Sequence, residues 1–171
     1  KRMSLPCNNG TSLRSLSPMK RVEVKLNLEA VAPLLDVIKD AADDLRPALA
    51  VNPAVPDQDE DFSSEWKREL LEGQNSDLGA FLSLFGAEFF ISGMVPLDAN
   101  NREAILRACS AVRLRLRAKH LKALDDEALE SGEATLDDLS DVQQRAFAAY
   151  VFLATLQELI VQHLDPNDLS E

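Results

Sequence analysis

Basic residues are scarce in this chain, and so are cysteine, histidine, glycine and long apolar runs. Lysine and arginine number 18 against 29 aspartates and glutamates, a net charge of −11. That excludes a general polyanion binder, because phosphate affinity is built from accumulated Lys and Arg. Two cysteines, Cys7 and Cys109, cannot make a disulfide framework and fit a reducing compartment. Six glycines and eight prolines exclude collagen-like and low-complexity classes. The longest apolar run, Ala146 to Ala154, is nine residues long. A membrane span needs about 20 predominantly apolar residues, so none is expected. Lys1 to Lys20 lacks the continuous apolar stretch of a signal peptide.

Catalytic signatures are equally thin. Nucleophilic catalysis needs a nucleophile, a base and an orienting group, and the only histidines are His120 and His163. Cys109 falls on an apolar helical stripe, where a buried, inert thiol is expected. His120 sits among Arg117, Lys119 and Lys122, whose charge disfavours its protonation. It reads as a histidine on a helix end, with a neutral base as the sharper alternative. His163 suits the last turn of a helix, where a cation meets the dipole. No G-x-S-x-G elbow, H-E-x-x-H, C-x-x-C, Gly-x-Gly or Walker pattern occurs. The acidic run Asp57 to Asp61 lacks the spacing and glycine of a calcium loop. The sequence therefore offers no catalytic residue, metal ligand or cofactor, and the balance falls against an enzyme.

What is present is a core. With 171 residues, 46% of them hydrophobic, the chain fits one domain. A domain of this size buries roughly 70% of its unfolded surface. Residues 1–19 are polar and read as a disordered leader or non-native remnant, and 20–171 as a single helical domain. Val22, Val24 and Leu26 alternate with charged residues, which predicts a strand over 21–26. Phe89 to Val95 is its expected partner, and the same stretch is a candidate exposed patch for self-association.

The remaining pattern is helical. Asn27 is the expected N-cap of a helix over 28–46, with Val31, Leu34, Leu35, Ile38, Ala42 and Leu45 in one stripe. Pro33 must sit in its first turn or kink it. A second helix is expected over 62–71, closed by Gly73, and a third from Ser76 through Phe85. A fourth runs from an Asp98 cap to Leu124, with Ile105, Cys109, Val112 and Leu116 on one face. Residues 125–139 are acidic, with a break at Gly132 and a local cap at Thr135. A fifth helix starts at the capping box Ser140-x-x-Gln143 and ends at Leu164. Its first half is apolar all round, which marks a central helix. The expected fold is mainly α: an irregular or orthogonal bundle of about five helices around a central buried C-terminal helix, with room for one small two-stranded β element.

Charge is distributed unevenly. Residues 102–122 carry seven basic groups and only Glu103. Residues 23–101 and 123–171 each sum to −11. The basic helix has three readings. Acids at 125–141 fold back beside it and form exposed pairs, each worth roughly 0–1 kcal/mol. Alternatively, Arg107, Arg115, Arg117, Lys119 and Lys122 form a docking face for an acidic protein partner. Nucleic acid is disfavoured, because no aromatic residue interleaves with the cations.

Arg113-Leu114-Arg115-Leu116 and the later Tyr150-Val151-Phe152-Leu153-Ala154-Thr155-Leu156-Gln157-Glu158-Leu159 carry a resemblance. The chain resembles an uncharacterised bacterial family of actinobacterial type, known as a domain of unknown function and often encoded beside the ClpS adaptor of the Clp protease. The resemblance covers residues 100–164 and, more loosely, 20–46. Family members often carry Asn-Asp before the Arg-Leu, where Ser110 and Ala111 stand here. It implies a single mostly helical domain, a cytoplasmic location and work with protein partners, a Clp component among them. Arg113, Tyr150 and Gln157 are polar in apolar surroundings. With Glu158 they form either an internal polar network, since a buried Arg must be paired, or a ligand pocket in which Arg113 takes a carboxylate bidentately. The sequence thus leads to a non-enzymatic protein-interaction domain, with a small-ligand-binding domain or enzyme at Arg113, Tyr150 and Gln157 as the alternative.

Overall fold

The computed structural model describes residues 20–54 and 60–164. The leader expected over 1–19, Cys7 and most of the acidic run 57–61 lie outside the described residues. Strand β1 (Arg21–Lys25) pairs antiparallel with β2 (Met94–Asp98), with Val24 opposite Val95 and Val22 opposite Leu97. Val95 and Leu97 are buried while Arg21, Glu23 and Lys25 are exposed, so the period-two pattern does what it predicted. Pro96 stands opposite Glu23. A two-stranded sheet is all edge, where a residue without an N–H is tolerated.

The partner strand begins later than expected. Ala87–Ser92 is a short helix, α3, and Phe89 points into the core. Gly93 then takes a left-handed φ of 68° and donates its N–H to Phe89 O at 2.7 Å. This turn delivers the chain into β2. A Cβ at Gly93 would stand 2.8 Å from Leu26 O, so the position needs glycine twice over.

Helix α1 (Leu28–Leu45) is capped by Asn27, whose side chain accepts from the N–H groups of Glu29 and Ala30. Pro33 lies beyond the first turn, yet the helix continues through it. Pro33 and Glu29, whose carbonyl loses its helical partner, are both on the exposed face.

Helix α2 (Glu60–Ser83) is one continuous element, so the expected break at Gly73 and restart at Ser76 do not occur. An interior glycine costs about 1 kcal/mol relative to alanine, and tertiary bonds next to Gly73 hold the helix together. Gln74 Nε2 donates to Leu45 O and Ala48 O at 2.9 and 3.0 Å, and Gln74 Oε1 accepts from Ala50 N at 2.9 Å. Asn75 Nδ2 donates to Arg46 O. The middle of α2 thereby ties down the chain leaving α1.

Helix α4 (Arg102–His120) takes Asn101 as its N-cap, three residues after the expected Asp98, and ends before Leu124. Asp98 is the last residue of β2, and its carboxylate accepts from Asn100 N and Asn101 N in a turn that precedes the helix. Within 125–139 a short helix α5 (Asp126–Ser131), capped by Asp125 and closed by left-handed Gly132, appears where only an acidic stretch was read. Thr135 opens a 3-10 turn at Leu136–Asp138 without a side-chain cap bond.

Helix α6 (Asp141–Leu164) begins at a reciprocal capping box. Ser140 N donates to Gln143 Oε1 at 3.0 Å and Gln143 N to Ser140 Oγ at 3.3 Å. By length and composition α6 is apolar enough to cross a membrane, which its nine-residue run alone did not suggest. In the fold it buries Ala146, Phe147, Ala149, Tyr150, Leu153, Leu156, Ile160 and Leu164. It is the central C-terminal helix, and α4 shares the centre, packing against α1, α2 and α6. The fold is mainly α with a small two-stranded sheet.

Candidate functional site

Helix α4 organises everything polar. Its stripe of Ile105, Cys109, Val112 and Leu116 is fully buried. Burial pushes the Cys109 thiol up to about 12, which makes it inert. On the flank facing α6, Arg113 Nη1 donates to Gln157 Oε1 at 2.8 Å, and the guanidinium lies 4.4 Å from the centre of the Tyr150 ring. Gln157 Nε2 donates to Leu106 O at 3.0 Å and to Ser110 Oγ at 2.8 Å. Arg113, Tyr150 and Gln157 are thus brought together as an internal network. Glu158 is not part of it and accepts instead from Gln162 on α6. Arg113 Nε is buried without a hydrogen-bond partner, so the face of Tyr150 supplies the guanidinium with a cation–π contact instead. Arg113, Tyr150 and Gln157 are engaged with one another and with α4, and they do not line the groove on its other flank.

The basic side chains are neutralised from within. Arg107 binds Asp77 of α2 through two bonds of 2.7 and 2.9 Å. Arg115 and Lys119 converge on Asp44 of α1 at 3.0 and 2.7 Å. Arg117 pairs with Asp126. The acids expected from 125–141 therefore supply one partner, Glu103 of α4 itself adds a pair with Arg107, and α1 and α2, which α4 packs against, supply Asp44 and Asp77. Lys122 lies beyond the end of α4. Lys119 and Arg115 hold Asp44 below its ordinary carboxylate value, Lys119's hydrogen bond being the largest cause. His120 is held below its ordinary value by burial first and by Lys119's charge second, so position outweighs the charges read from sequence. His163 is exposed in the last turn of α6. No group of three or more His, Cys, Asp or Glu among the described residues is placed to hold a metal ion.

The cavity lies on the other flank of α4. A groove of about 610 Å³ opens between α2, α4 and the loop at 49–53. Leu106, Ala111 and Leu114 of α4, Leu70 of α2 and Val51 of the loop make it apolar. Val51, Leu70 and Leu114 remain 61%, 38% and 43% exposed. Its polar groups are Glu69, Gln74, Asp77, Arg107 and Ser110. Leu106, through its carbonyl, and Ser110 belong to both the groove and the Gln157 network. Sequence reasoning missed this groove: Gly73 reads as a helix end, and Leu114 only as part of the basic helix. A further exposed apolar pair, Phe90 and Ile91 at 53% and 84%, comes from the patch suggested for self-association, whose Phe89 and Val95 are buried.

Comparisons with protein-family models, with curated proteins and with solved structures found nothing that matches this chain.

Proposed function

We propose that this chain is a non-enzymatic protein-interaction domain that docks a partner in the groove between α2 and α4. The observation that carries this reading is the groove itself, an open apolar surface whose walls Val51, Leu70 and Leu114 stay exposed. Exposed apolar surface gathered in one concave place marks binding sites better than scattered exposed residues do. The cations of α4 are a weaker candidate, because Arg107, Arg115, Arg117 and Lys119 already hold acidic partners. A cytoplasmic role beside Clp-type proteolysis rests on the sequence resemblance alone. The groove volume also lies within the range of small-ligand pockets, which moves the ligand-binding alternative from Arg113 to this surface.

The test is retention from a host lysate by the tagged protein, at low and moderate salt, with proteins identified by mass spectrometry. Gly73→Leu serves as the blocking variant, because a Cβ at Gly73 would meet no atom within 4 Å, and a thermal melt checks that the fold is kept. A Clp component or other specific protein held by the wild type and lost with Gly73→Leu supports the reading. Retention indifferent to Gly73→Leu but lost on charge reversal at Arg115 and Arg117 overturns it in favour of the basic face. Retention of nothing specific also overturns it.

A further inference from the structure

We infer that the groove takes an elongated amphipathic peptide segment bearing lysine or arginine; this rests on the interaction reading above and names the chemistry of the partner. Three observations carry it. The first is shape. One turn back from Leu70, Trp66 stands on the same face of α2. That face carries apolar surface about 6 Å beyond the Leu70 wall of the groove at the helical rise. No residue of α2 before Leu78 is buried. A surface this long and open suits a segment of chain better than a compact ligand. Gly73 lowers the wall between Leu70 and Asp77, and space is open above its Cα. Helix stability is given up where an occupant's backbone would pass closest.

The second observation is charge. Asp77 is spent on Arg107, and Arg68 is shared by Glu65 and Glu72. Glu69 lines the groove, is exposed and makes no ion pair or hydrogen bond among the described residues. The groove therefore offers one carboxylate to a cation. A second copy of the chain, with its own net charge of −11, is repelled.

The third is a hydrogen-bond donor. Arg113 can only donate, so its bond fixes Gln157 Oε1 toward it and turns Nε2 toward Ser110. The Ser110 hydroxyl then accepts from Gln157, and Leu106 O is already taken by Gln157 as well. The hydroxyl proton of Ser110 is left for an acceptor in the groove, as a peptide carbonyl provides.

Trp66 is the only tryptophan and stands on the proposed face, so its emission reports occupancy. The probes are a short amphipathic peptide of leucine and lysine, its leucine–glutamate and leucine–glutamine counterparts, and a short-chain alkylamine. Titrations run at about 0.15 M salt, where distant charges are screened. The lysine peptide is expected to bind best. Glu69→Gln should weaken it about two- to fivefold, and Gly73→Leu about tenfold or more, with neither variant less thermally stable than the wild type. Equal binding of the glutamate peptide, or indifference to Glu69→Gln, overturns the cationic partner. Continued loss with Gly73→Leu in that case leaves the groove reading standing. An alkylamine that binds as tightly as the peptide overturns the peptide class. Binding of no probe that responds to Gly73→Leu overturns both readings.

Discussion

The two flanks of α4 are built from the same few turns and end differently. Toward α6 the helix is closed: Cys109, Val112 and Leu116 share one buried core with Leu153 and Leu156, and the half-buried Arg113 is stacked and bonded. Toward α2 it is open: Leu106, Ala111 and Leu114 look into a groove, where Arg107 is held by Asp77 of α2. Apolar side chains stand on both flanks, so composition does not separate them. What separates them is the opposing helix. Helix α6 presents buried side chains along its whole length, whereas α2 buries only Leu78 and Phe81, and Gly73 stands over open space in the groove. One flank therefore serves stability and the other leaves surface to be covered.

That contrast is broken most directly by two leucines two positions apart. Leu116 is fully buried, and Leu116→Ala should cost about 2–5 kcal/mol through lost transfer energy and a cavity. Leu114 is 43% exposed, and Leu114→Ala should stay within about 0.5 kcal/mol. Urea unfolding of the two variants measures both. Similar losses at the two positions would mean that the groove is closed in solution.

The next test sharpens the contrast inside the closed flank. Gln157→Leu removes an acceptor from Arg113 and a donor from Leu106 O and Ser110 Oγ. A half-buried guanidinium left with fewer partners costs more than the bond itself, so about 1–3 kcal/mol of stability should be lost. Adding Arg113→Met should return part of it, because a pair replaced on both sides strands no polar group. A double-mutant cycle in urea reads the coupling. Additive losses would show that Arg113 rests on Tyr150 alone.

The same division marks what was legible in the sequence. Asn27 and the Ser140–Gln143 box act within one turn of chain, and both cap as read. The stripe on α4 and the meeting of Arg113, Tyr150 and Gln157 were also legible, because apolar periodicity demands a core and a polar group inside it demands partners. Gly73 misled because its local cost is outweighed by bonds from Gln74 to a loop 24 to 29 residues away. Phe89 misled because a short apolar run fits strand and buried helix equally well. The groove was not legible at all. It exists only through the way α2 and the loop at 49–53 lie across α4, which no pattern within one element records.

Asp44 gives the smallest effect and tests whether the cations belong to the fold. It receives Arg115 at 3.0 Å and Lys119 at 2.7 Å, all three at least 31% exposed. Exposed pairs are worth roughly 0–1 kcal/mol, screened by salt, so Asp44→Asn should cost less than about 1 kcal/mol at low ionic strength and less still in high salt. The pH dependence has a definite sign. Lys119 and Arg115 hold the folded carboxylate below its ordinary value of 3.8, so the unfolded chain takes up the proton first. The contribution is present in full above that ordinary value and drains away as pH falls through the lowered folded one. Wild type and Asp44→Asn should therefore differ at neutral pH and converge in acid, as paired thermal melts across that range would show. A difference that persists in acid would assign the role of Asp44 to packing, and would release Arg115 and Lys119 for a partner after all.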